Sequence, residues 1–433
     1  MTTTLLQSMV QEIDGRAHRL SNLDSYYAGE TPLSFMSPEA REALSNRLTR
    51  MSANYCRLAV TSIAERLRVT GFTRDGAHDP ALWETWAAND LDQLSATLHR
   101  EALILGSAFV IVWADETGRP VISVESAHQM IARRDPGTRT ITAAVKKWAT
   151  PTGTEAVVYE PEKITRYTST SHGATAASQF TAAETVTNPL GVVPAVEFRN
   201  SDRLLEPGVS ELRDIIPLQD SLNKLLADLM VGSENYARPR RWATGIELEE
   251  DDDGEVTNPY PEGDRMLISE APDSKFGQLP ASDLASYETA IRSIVAQIMA
   301  VSSLPAHYVG VTGNQPPSAD GLRAAEASLT ARCEARQATF GRAWEKVMAL
   351  AHAVATGTDP ATADVGIVWA DPATRSAAQE ADAVVKLYTA GLLPATSALE
   401  RLGYSEDQIT RIRAERRGEA LDRVGTEIGQ VIS

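Results

Sequence analysis

Apolar residues recur every three or four positions in several long segments, which is the spacing of one face of an α-helix. The most extensive pattern runs from Ser282 to Val354. Its first part predicts a helix whose apolar face consists of Leu284, Tyr287, Ile291, Ile294, Ile298 and Val301. Leu304-Pro305 ends this helix, because proline cannot continue helical hydrogen bonding. Ser318 is then predicted to cap a second, longer helix.

The apolar face of this second helix consists of Leu322, Ala325, Leu329, Cys333, Phe340, Trp344, Val347 and Ala351. At 1.5 Å per residue the helix would span about 50 Å, which is more than the core of a small domain needs. We therefore expect it to cross between domains or between subunits. The loop HYVGVTGNQPP between the two helices is either a working loop or a simple connector.

The N-terminal third also shows helical patterns, one of them starting at Ser37-Pro38-Glu39 and running to about Arg68. Short segments rich in Val, Ile and Thr predict strands in the middle of the chain. These are AFVIVWA, PVISVES, TITAAVKKWA, EAVVYE, KITRYTS and VVPAVEF. The segment SHGATAASQFTAAET lacks periodicity and is predicted to be a mobile excursion.

A further helix is predicted from Val209 to about Tyr236, with a kink at Pro217. An insert with basic, aromatic and acidic runs follows before the chain returns into the helix at Ser282. Two helices with an insert between their far ends predict a stalk with a tip. After a short strand, VGIVWA, three helices are expected to end the chain. The predicted fold class is α+β and predominantly helical.

Composition limits the classes of function. The chain has 433 residues, 43% of them hydrophobic and 23% charged, as in ordinary globular proteins. No apolar run is long enough for a membrane span, and no signal peptide is recognisable. Two cysteines predict no disulfide framework, so an intracellular site of synthesis is expected. The net charge of −17 counts against classical nucleic-acid binding, which needs clustered Lys and Arg.

No catalytic, nucleotide-binding or metal-binding motif occurs in the sequence, so no catalytic residue, metal or cofactor is predicted. The acidic run 247–255 does not match a calcium loop, because Tyr260 stands where a bidentate Glu is required. A basic-aromatic run has three readings: nucleic-acid contact, a partner-protein surface, or salt bridges within the insert. It consists of Arg238, Arg240, Arg241 and Trp242.

Several stretches in this order resemble the portal proteins of tailed bacteriophages, in the form common in phages with long non-contractile tails. They are SNLDSYYAGETPL, NYCRLAVTSIAERLRVTGF, IIPLQDSLNKLLADLMVGSENYARPRRWATGIEL, LPAHYVG with QPPSADGLRAAEASL, and VWADPATRSAAQEADAVVKL with GLLPATSALERLGYSEDQI. Such proteins form a ring, usually of twelve subunits, at one capsid vertex. Double-stranded DNA is pumped through the ring by the terminase motor and later leaves by the same route.

The resemblance implies a portal-like domain plan of wing, two-helix stem, small α/β clip and helical crown. The implied ranges are a wing at 1–208, a first stem helix at 209–236, a clip and return segment at 237–281, a second stem helix at 282–303, a tunnel loop at 304–317, a long wing-to-crown helix at 318–355, and a crown with C-terminal helices at 356–433.

The resemblance also implies site residues and partners. The DNA-facing residues of the tunnel loop would be His307, Tyr308, Val309, Thr312, Asn314 and Gln315. Residues of the clip that dock terminase or an adaptor would be Arg238, Arg240, Arg241 and Trp242. The implied partners are other copies of the chain in a dodecamer, non-specifically held DNA, the terminase large subunit, the major capsid protein and a head–tail adaptor, with no membrane. The protein would be made in the host bacterial cytoplasm and reside in the virion.

An acidic chain fits such a conduit, because a channel lined with Lys and Arg would hold DNA too tightly for passage. Two alternatives remain open. One is another virion ring, such as a head–tail adaptor, although adaptors are usually shorter. The other is a hydrolase that uses the carboxylates of the acidic run, which would require paired acids on rigid elements.

Overall fold

The computed structural model describes residues 2–31, 53–237, 241–245, 249–250, 256–257, 272–278, 284–310, 318–373, 377–404 and 408–418. The structure is 50% helical and 22% strand, which confirms the predicted α+β fold with an excess of helix. It divides into two compact units. The first unit comprises residues 1–24, 59–211 and 303–433, and the second comprises residues 25–58 and 212–302.

Among the described residues before 106, the helices are α1 (Thr2–Ala28), α2 (Tyr55–Ala64), α3 (Pro80–Ala88) and α4 (Leu91–Leu105). Helix α3 contains Trp83 and Trp86, is capped by the Asp79 side chain and has proline at its first position. The helix expected to reach Arg68 ends at Ala64 instead. Its predicted start at Ser37 lies outside the described residues.

Three antiparallel sheets belong to the first unit. The first has the order β15-β1-β2, the second β10-β3-β4, and the third β5-β6-β7-β8-β9. The strands are β1 (Val69–Arg74), β2 (Ala77–His78), β3 (Ser107–Ala114), β4 (Pro120–Ser126), β5 (Met130–Arg134), β6 (Ile141–Thr150), β7 (Gly153–Tyr159), β8 (Lys163–Ser169), β9 (Thr181–Thr187), β10 (Ala195–Arg199) and β15 (Val365–Trp369). The six strands predicted in the middle of the chain are confirmed, whereas β1, β2, β5 and β9 lacked a recognisable pattern.

The N-terminal part of α1 covers the five-stranded sheet. Its buried residues Leu6, Met9, Val10 and Ile13 share one core cluster with apolar residues of the sheet, including Val145. The segment predicted to be a mobile excursion contributes to this core, because Ala174 and Phe180 are buried in it. That prediction is wrong: residues 181–187 form the edge strand β9, which pairs with β8.

The long helix α7 (Ala319–Thr356) begins and ends close to where the sequence predicts. The Ser318 side chain accepts a hydrogen bond from the Gly321 amide at 3.1 Å, as expected for an N-cap. The helix packs on β3, β10 and β15. Its buried face includes Phe340 and Trp344, both fully buried, so most of the predicted apolar face is the core face.

The second unit contains the helices α5 (Ile216–Ala237) and α6 (Ala285–Ser302), which pack against each other. Because α5 starts at Ile216, Pro217 stands in its first turn, where proline is tolerated, and the predicted kink is wrong. Two small antiparallel pairs lie between these helices in the chain: β11 (Arg241–Thr244) with β14 (Lys275–Gln278), and β12 (Glu249–Glu250) with β13 (Val256–Thr257).

The C-terminal region contributes to the sheets as well as ending in helices. Strand β15 pairs with β1, so residues 365–369 belong to the first unit rather than to a separate C-terminal layer. The helices α8 (Ala377–Thr389), α9 (Ala395–Arg401) and α10 (408–418) follow. The capping residue predicted for the last helix, Ser405, lies outside the described residues.

Candidate functional site

The segment expected to form the tunnel loop begins as a compact turn. Ser303 has a positive φ of 59°, and Leu304 and Pro305 after it are buried. A single 3-10 turn, Ala306–Val309, follows and ends at Gly310, whose φ is +71°. The Tyr308 amide donates to the Pro305 carbonyl at 3.0 Å. The first half of the loop is therefore a defined structure, held at its start by burial.

A buried guanidinium anchors this turn within the first unit. Arg66 donates from Nη2 to the Tyr308 hydroxyl at 2.7 Å and approaches Glu326 Oε2 at 3.4 Å. The guanidinium also lies 5.7 Å from the centre of the Tyr308 ring. Its other donors reach backbone carbonyls, with Nη1 bound to Ser62 and Nε bound to Pro372. The anchor thus joins α2, the turn, α7 and the segment after β15.

Glu326 in α7 connects the turn to the long helix. The residue is 7% exposed, and its Oε1 lies 3.1 Å from His307 Nε2 while Oε2 faces Arg66. The rings of His307 and Tyr308 meet edge-to-face with centroids 4.8 Å apart. Burial would lower the pKa of Arg66, but the hydrogen bond to Tyr308 and the charge of Glu326 raise it, and the upward direction prevails.

The predicted loop residues therefore divide into two groups. His307, Tyr308 and Val309 are half-buried and lie in the 3-10 turn. The side chain of His307 contacts Glu326, and that of Tyr308 contacts Arg66. Only the remaining part of each side chain is exposed to solvent. Thr312, Asn314 and Gln315 lie outside the described residues.

A second charged network, which the sequence did not reveal, lies further along α7. Arg332 and Arg336 both donate to the carboxylate of Glu211, at 2.6 Å and 2.9 Å. Arg336 also makes two hydrogen bonds to Asp202, which lower the pKa of that carboxyl. The four-residue spacing of the two arginines, which places them on one face of the helix, was the only signal available.

Two of the four predicted docking residues, Arg241 and Trp242, lie in the small sheet of the second unit. Trp242 is 44% exposed and lies in β11 opposite Gly277 of β14. A Cβ on Gly277 would approach the Trp242 ring to 2.5 Å, so glycine is what allows the indole to lie across the neighbouring strand. Arg241 is in the same strand, whereas Arg238 and Arg240 lie outside the described residues.

The described residues contain neither a metal-ligand cluster nor a membrane-spanning helix. No group of three or more His, Cys, Asp or Glu side chains there is placed to hold a metal ion. None of the helices in those ranges combines the length and apolar character that crossing a membrane requires.

Comparison with known proteins defines the class of protein. The family model described as "Phage portal protein, SPP1 Gp6-like" matches residues 7–421. The chain belongs to this family, whose members are structural proteins of phage particles.

Two relatives match nearly the whole of this chain. The portal protein of Mycobacterium phage L5 is 28% identical over 98% of this chain and 90% of its own length. The portal protein of Mycobacterium phage D29 is 29% identical over 97% of this chain and 90% of its own length.

Solved structures also resemble the chain. A chain from the virion of a native gene transfer agent particle has a TM-score of 0.48 and 15% identity, with 86% of this chain and 95% of that chain covered. A chain from the neck of the empty particle, computed with C6 symmetry, has a TM-score of 0.49 and 14% identity at the same coverage.

Proposed function

We propose that this portal-family chain assembles head-to-tail into a ring, usually of twelve copies, that forms a channel at one capsid vertex. Double-stranded DNA passes through the channel during packaging by a terminase motor and again during ejection. The observation that carries the proposal is the family match over residues 7–421, which spans both units of the structure. The role is structural, with no turnover of substrate by this chain.

The charge of the chain supports passage rather than retention of DNA. Each Lys or Arg contact to a phosphate adds affinity, so a wall rich in such contacts would hold the duplex in place. A chain with a net charge of −17 presents a repulsive background to DNA. Weak contact is then left to polar loop residues, and Thr312, Asn314 and Gln315 are the residues proposed for it.

The turn at Ala306–Val309 supports a working loop rather than a slack connector. A loop that faces moving DNA has to be fixed at its base so that its tip keeps one position relative to the wall. Burial of Leu304 and the bonds from Arg66 and Glu326 provide such a base. We propose that this base positions the part of the loop that faces the duplex.

The small sheet with Trp242 is proposed to dock the terminase or a head–tail adaptor. A half-exposed tryptophan next to arginines is typical of residues that dominate binding energy at protein interfaces. The runner-up functions are another virion ring, such as a head–tail adaptor, and a carboxylate-dependent hydrolase. The family match over nearly the whole chain favours the portal over both.

The decisive experiment is electron microscopy of the purified full-length chain, with class averages calculated across a range of protein concentrations. We expect rings with a central hole, mostly with twelve-fold symmetry. A monomer or a two-fold dimer at all concentrations would overturn the proposal. Rings much thinner than a portal, without a stalk on one side, would support the adaptor instead.

A further inference from the structure

A cavity of about 290 Å³ opens in the first unit beside α1, and its charged lining is mostly basic. Arg16 and Arg19 reach it from α1, Arg134 from β5 and Arg199 from β10, with Glu12 and Glu197 as the acidic members of the lining. Glu197 is paired with Arg134 at 2.8 Å. Four guanidinium groups against two carboxylates leave an excess of positive charge at the cavity.

Two of these arginines carry donors that nothing in the unit satisfies. The Nε atoms of Arg16 and Arg199 are both buried, and neither has a hydrogen-bond partner. Burial lowers the pKa of Arg16, although Glu12 and Glu197 partly oppose the effect. A buried donor without an acceptor is unfavourable, so both arginines favour an acceptor that comes from outside the unit.

The wall of the cavity is built by a close crossing of two backbone segments. Gly106 and Gly208 approach so tightly that a Cβ on Gly208 would lie 1.9 Å from the Gly106 carbonyl oxygen. Asn200 closes the loop that leads to this crossing, because its amide side chain donates to the Val209 carbonyl at 2.8 Å. The cavity is therefore a fixed feature of the fold.

The loop closed by Asn200 presents apolar side chains beside the arginines. Leu205 lines the cavity and is 97% exposed, and Leu204 before it is 73% exposed. Exposed leucines add nothing to the recognition of a phosphate backbone, whereas arginine next to apolar area is typical of protein interfaces. The combination favours a protein segment that carries both carboxylates and apolar side chains.

We propose that the arginine-lined cavity, with Leu204 and Leu205 at its rim, receives a carboxylate-bearing segment of the next copy of this chain. The inference rests on the proposed ring. A head-to-tail ring is heterologous, so a patch on one subunit must meet a different patch on its neighbour. The chain has 58 acidic and 41 basic residues, so a second copy carries an excess of carboxylates that could meet this basic lining. The guanidinium groups then form bidentate hydrogen bonds with those carboxylates.

The first test is charge reversal in the full-length chain. Arg19→Glu/Arg199→Glu should raise the protein concentration needed for half-assembly by about tenfold or more, because it replaces attraction by repulsion. Arg342→Glu is the matched control, since this residue is 83% exposed in its side chain and makes only an i,i+3 pair. Circular dichroism and thermal melting of the unassembled subunits report whether the double variant still folds, and Arg199→Gln provides a milder change at the same place.

The second test does not depend on disrupting the cavity. Leu205→Cys is labelled with a photoactivated maleimide cross-linker. The native thiols compete poorly, because burial raises the pKa of Cys56 to about 12 and of Cys333 to about 11. Irradiated rings should yield a cross-linked dimer, and peptide mapping should place the partner site in an acidic segment of the second copy.

The outcomes separate this interface from the ring itself. The interface would be overturned if the double variant formed rings at the same protein concentrations as the wild type. It would also be overturned if irradiated rings gave no intersubunit cross-link. Either result would leave the portal proposal intact. Suppose that inorganic pyrophosphate stabilises the wild-type monomer but not the Arg199→Gln monomer, and that Arg199→Gln still assembles rings normally. That result would assign the cavity to a small anion and would also overturn the interface. Failure of the wild-type chain to form any ring would overturn both proposals.

Discussion

Among the described residues of the first unit, His99 is the most deeply buried histidine. It is fully buried, and its Nε2 lies 2.8 Å from Trp344 Nε1. The indole nitrogen can only donate, so Nε2 of His99 must be the acceptor and carries no proton. The ring also stacks on Phe340 with centroids 5.5 Å apart. Burial lowers the pKa of His99 to about 3, so the residue is neutral in the folded chain at pH 7.

This burial predicts an acid-sensitive core. The unfolded chain binds the His99 proton near pH 6.5 and the folded chain only near pH 3, so stability from this residue is complete above 6.5 and falls as the pH drops. We expect a loss of about 1.4 kcal/mol in unfolding free energy per pH unit across that window. Denaturant titration of the wild type and of His99→Gln between pH 4 and 7 measures it. Identical pH slopes for the two chains would contradict the assignment.

The seven histidines in the sequence show no metal-ligand spacing, so the sequence predicts only surface or core positions for them. Nothing local to His99 distinguishes it, because its partner Trp344 is 245 residues away. Aromatic side chains from β10, α7 and β15 meet around it only after folding. Hydrophobic spacing predicts that a position is inward, whereas the identity of its neighbour depends on how the elements pack.

At the scale of secondary-structure elements, a glycine in the long helix α7 allows a neighbouring strand to pack closely against it. Gly341 lies in the middle of α7, where glycine weakens a helix. A Cβ there would lie 3.1 Å from both Ile367 Cγ2 and Trp369 Nε1 of β15. The missing side chain lets the strand approach the helix closely, which offsets the intrinsic cost of glycine.

Two glycines in helices should therefore respond in opposite directions. Gly15 in α1 has open space around it, so Gly15→Ala should stabilise the chain by about 0.5–1 kcal/mol through helix propensity alone. Gly341→Leu should destabilise it by about 1–3 kcal/mol, because the new side chain overpacks the contact with β15. Thermal or urea unfolding measures both variants. A neutral result for Gly341→Leu would mean that the strand moves away at little cost.

The link between α2, the 3-10 turn and α7 depends on the buried pair Arg66–Glu326, whose side chains are 13% and 9% exposed. Arg66→Gln should cost about 2–4 kcal/mol, because it leaves Glu326 buried without its cation. Adding Glu326→Gln should recover part of that loss, and a double-mutant cycle in urea gives the coupling. Arg342→Gln, at an exposed pair, serves as the control and should change stability by less than about 1 kcal/mol. Additive effects at Arg66 and Glu326 would show that the two residues act separately.

Strong local signals predicted most of the elements. The N-cap at Ser318 and the Val- and Ile-rich runs of β3 and β6 are local features that hold wherever the segments lie. Strand β1 was missed because its residues show no recognisable strand pattern, and its partner β15 lies about 300 residues later in the chain. The predicted kink at Pro217 is wrong, because the position of a proline in the sequence does not show whether the helix begins well before that residue or right next to it.

At the scale of the whole molecule, the loop and the small sheet are proposed to have separable roles. Deleting Val309–Gln315 should leave ring assembly intact and impair DNA packaging, because the residues proposed to face the duplex are removed while the Arg66 and Glu326 contacts to His307 and Tyr308 remain. Negative-stain microscopy and an in vitro packaging assay measure the two properties. Full packaging by such rings would make the loop a connector.

The matched comparison alters the small sheet of the second unit and leaves the loop, which belongs to the first unit, unchanged. Arg240→Glu/Arg241→Glu should also leave rings intact, but it should weaken binding of the terminase or adaptor, measured by co-sedimentation with purified rings. Charge reversal at an interface rich in arginine lowers the rate and strength of association. Unchanged docking would remove the assignment of this sheet as the clip, without affecting the loop.

The sequence by itself determined the order of helices and strands, the inward face of the long helix and the absence of a recognisable catalytic motif. It also carried the resemblance to portal proteins, because that resemblance rests on the order of motifs along the chain. The tertiary structure alone decided the partners: Arg66 with Tyr308 and Glu326, Glu211 with Arg336, and Arg16 near Arg199 at one cavity. Periodicity records which side of an element is apolar, whereas a charged contact between distant segments exists only once packing has brought them together.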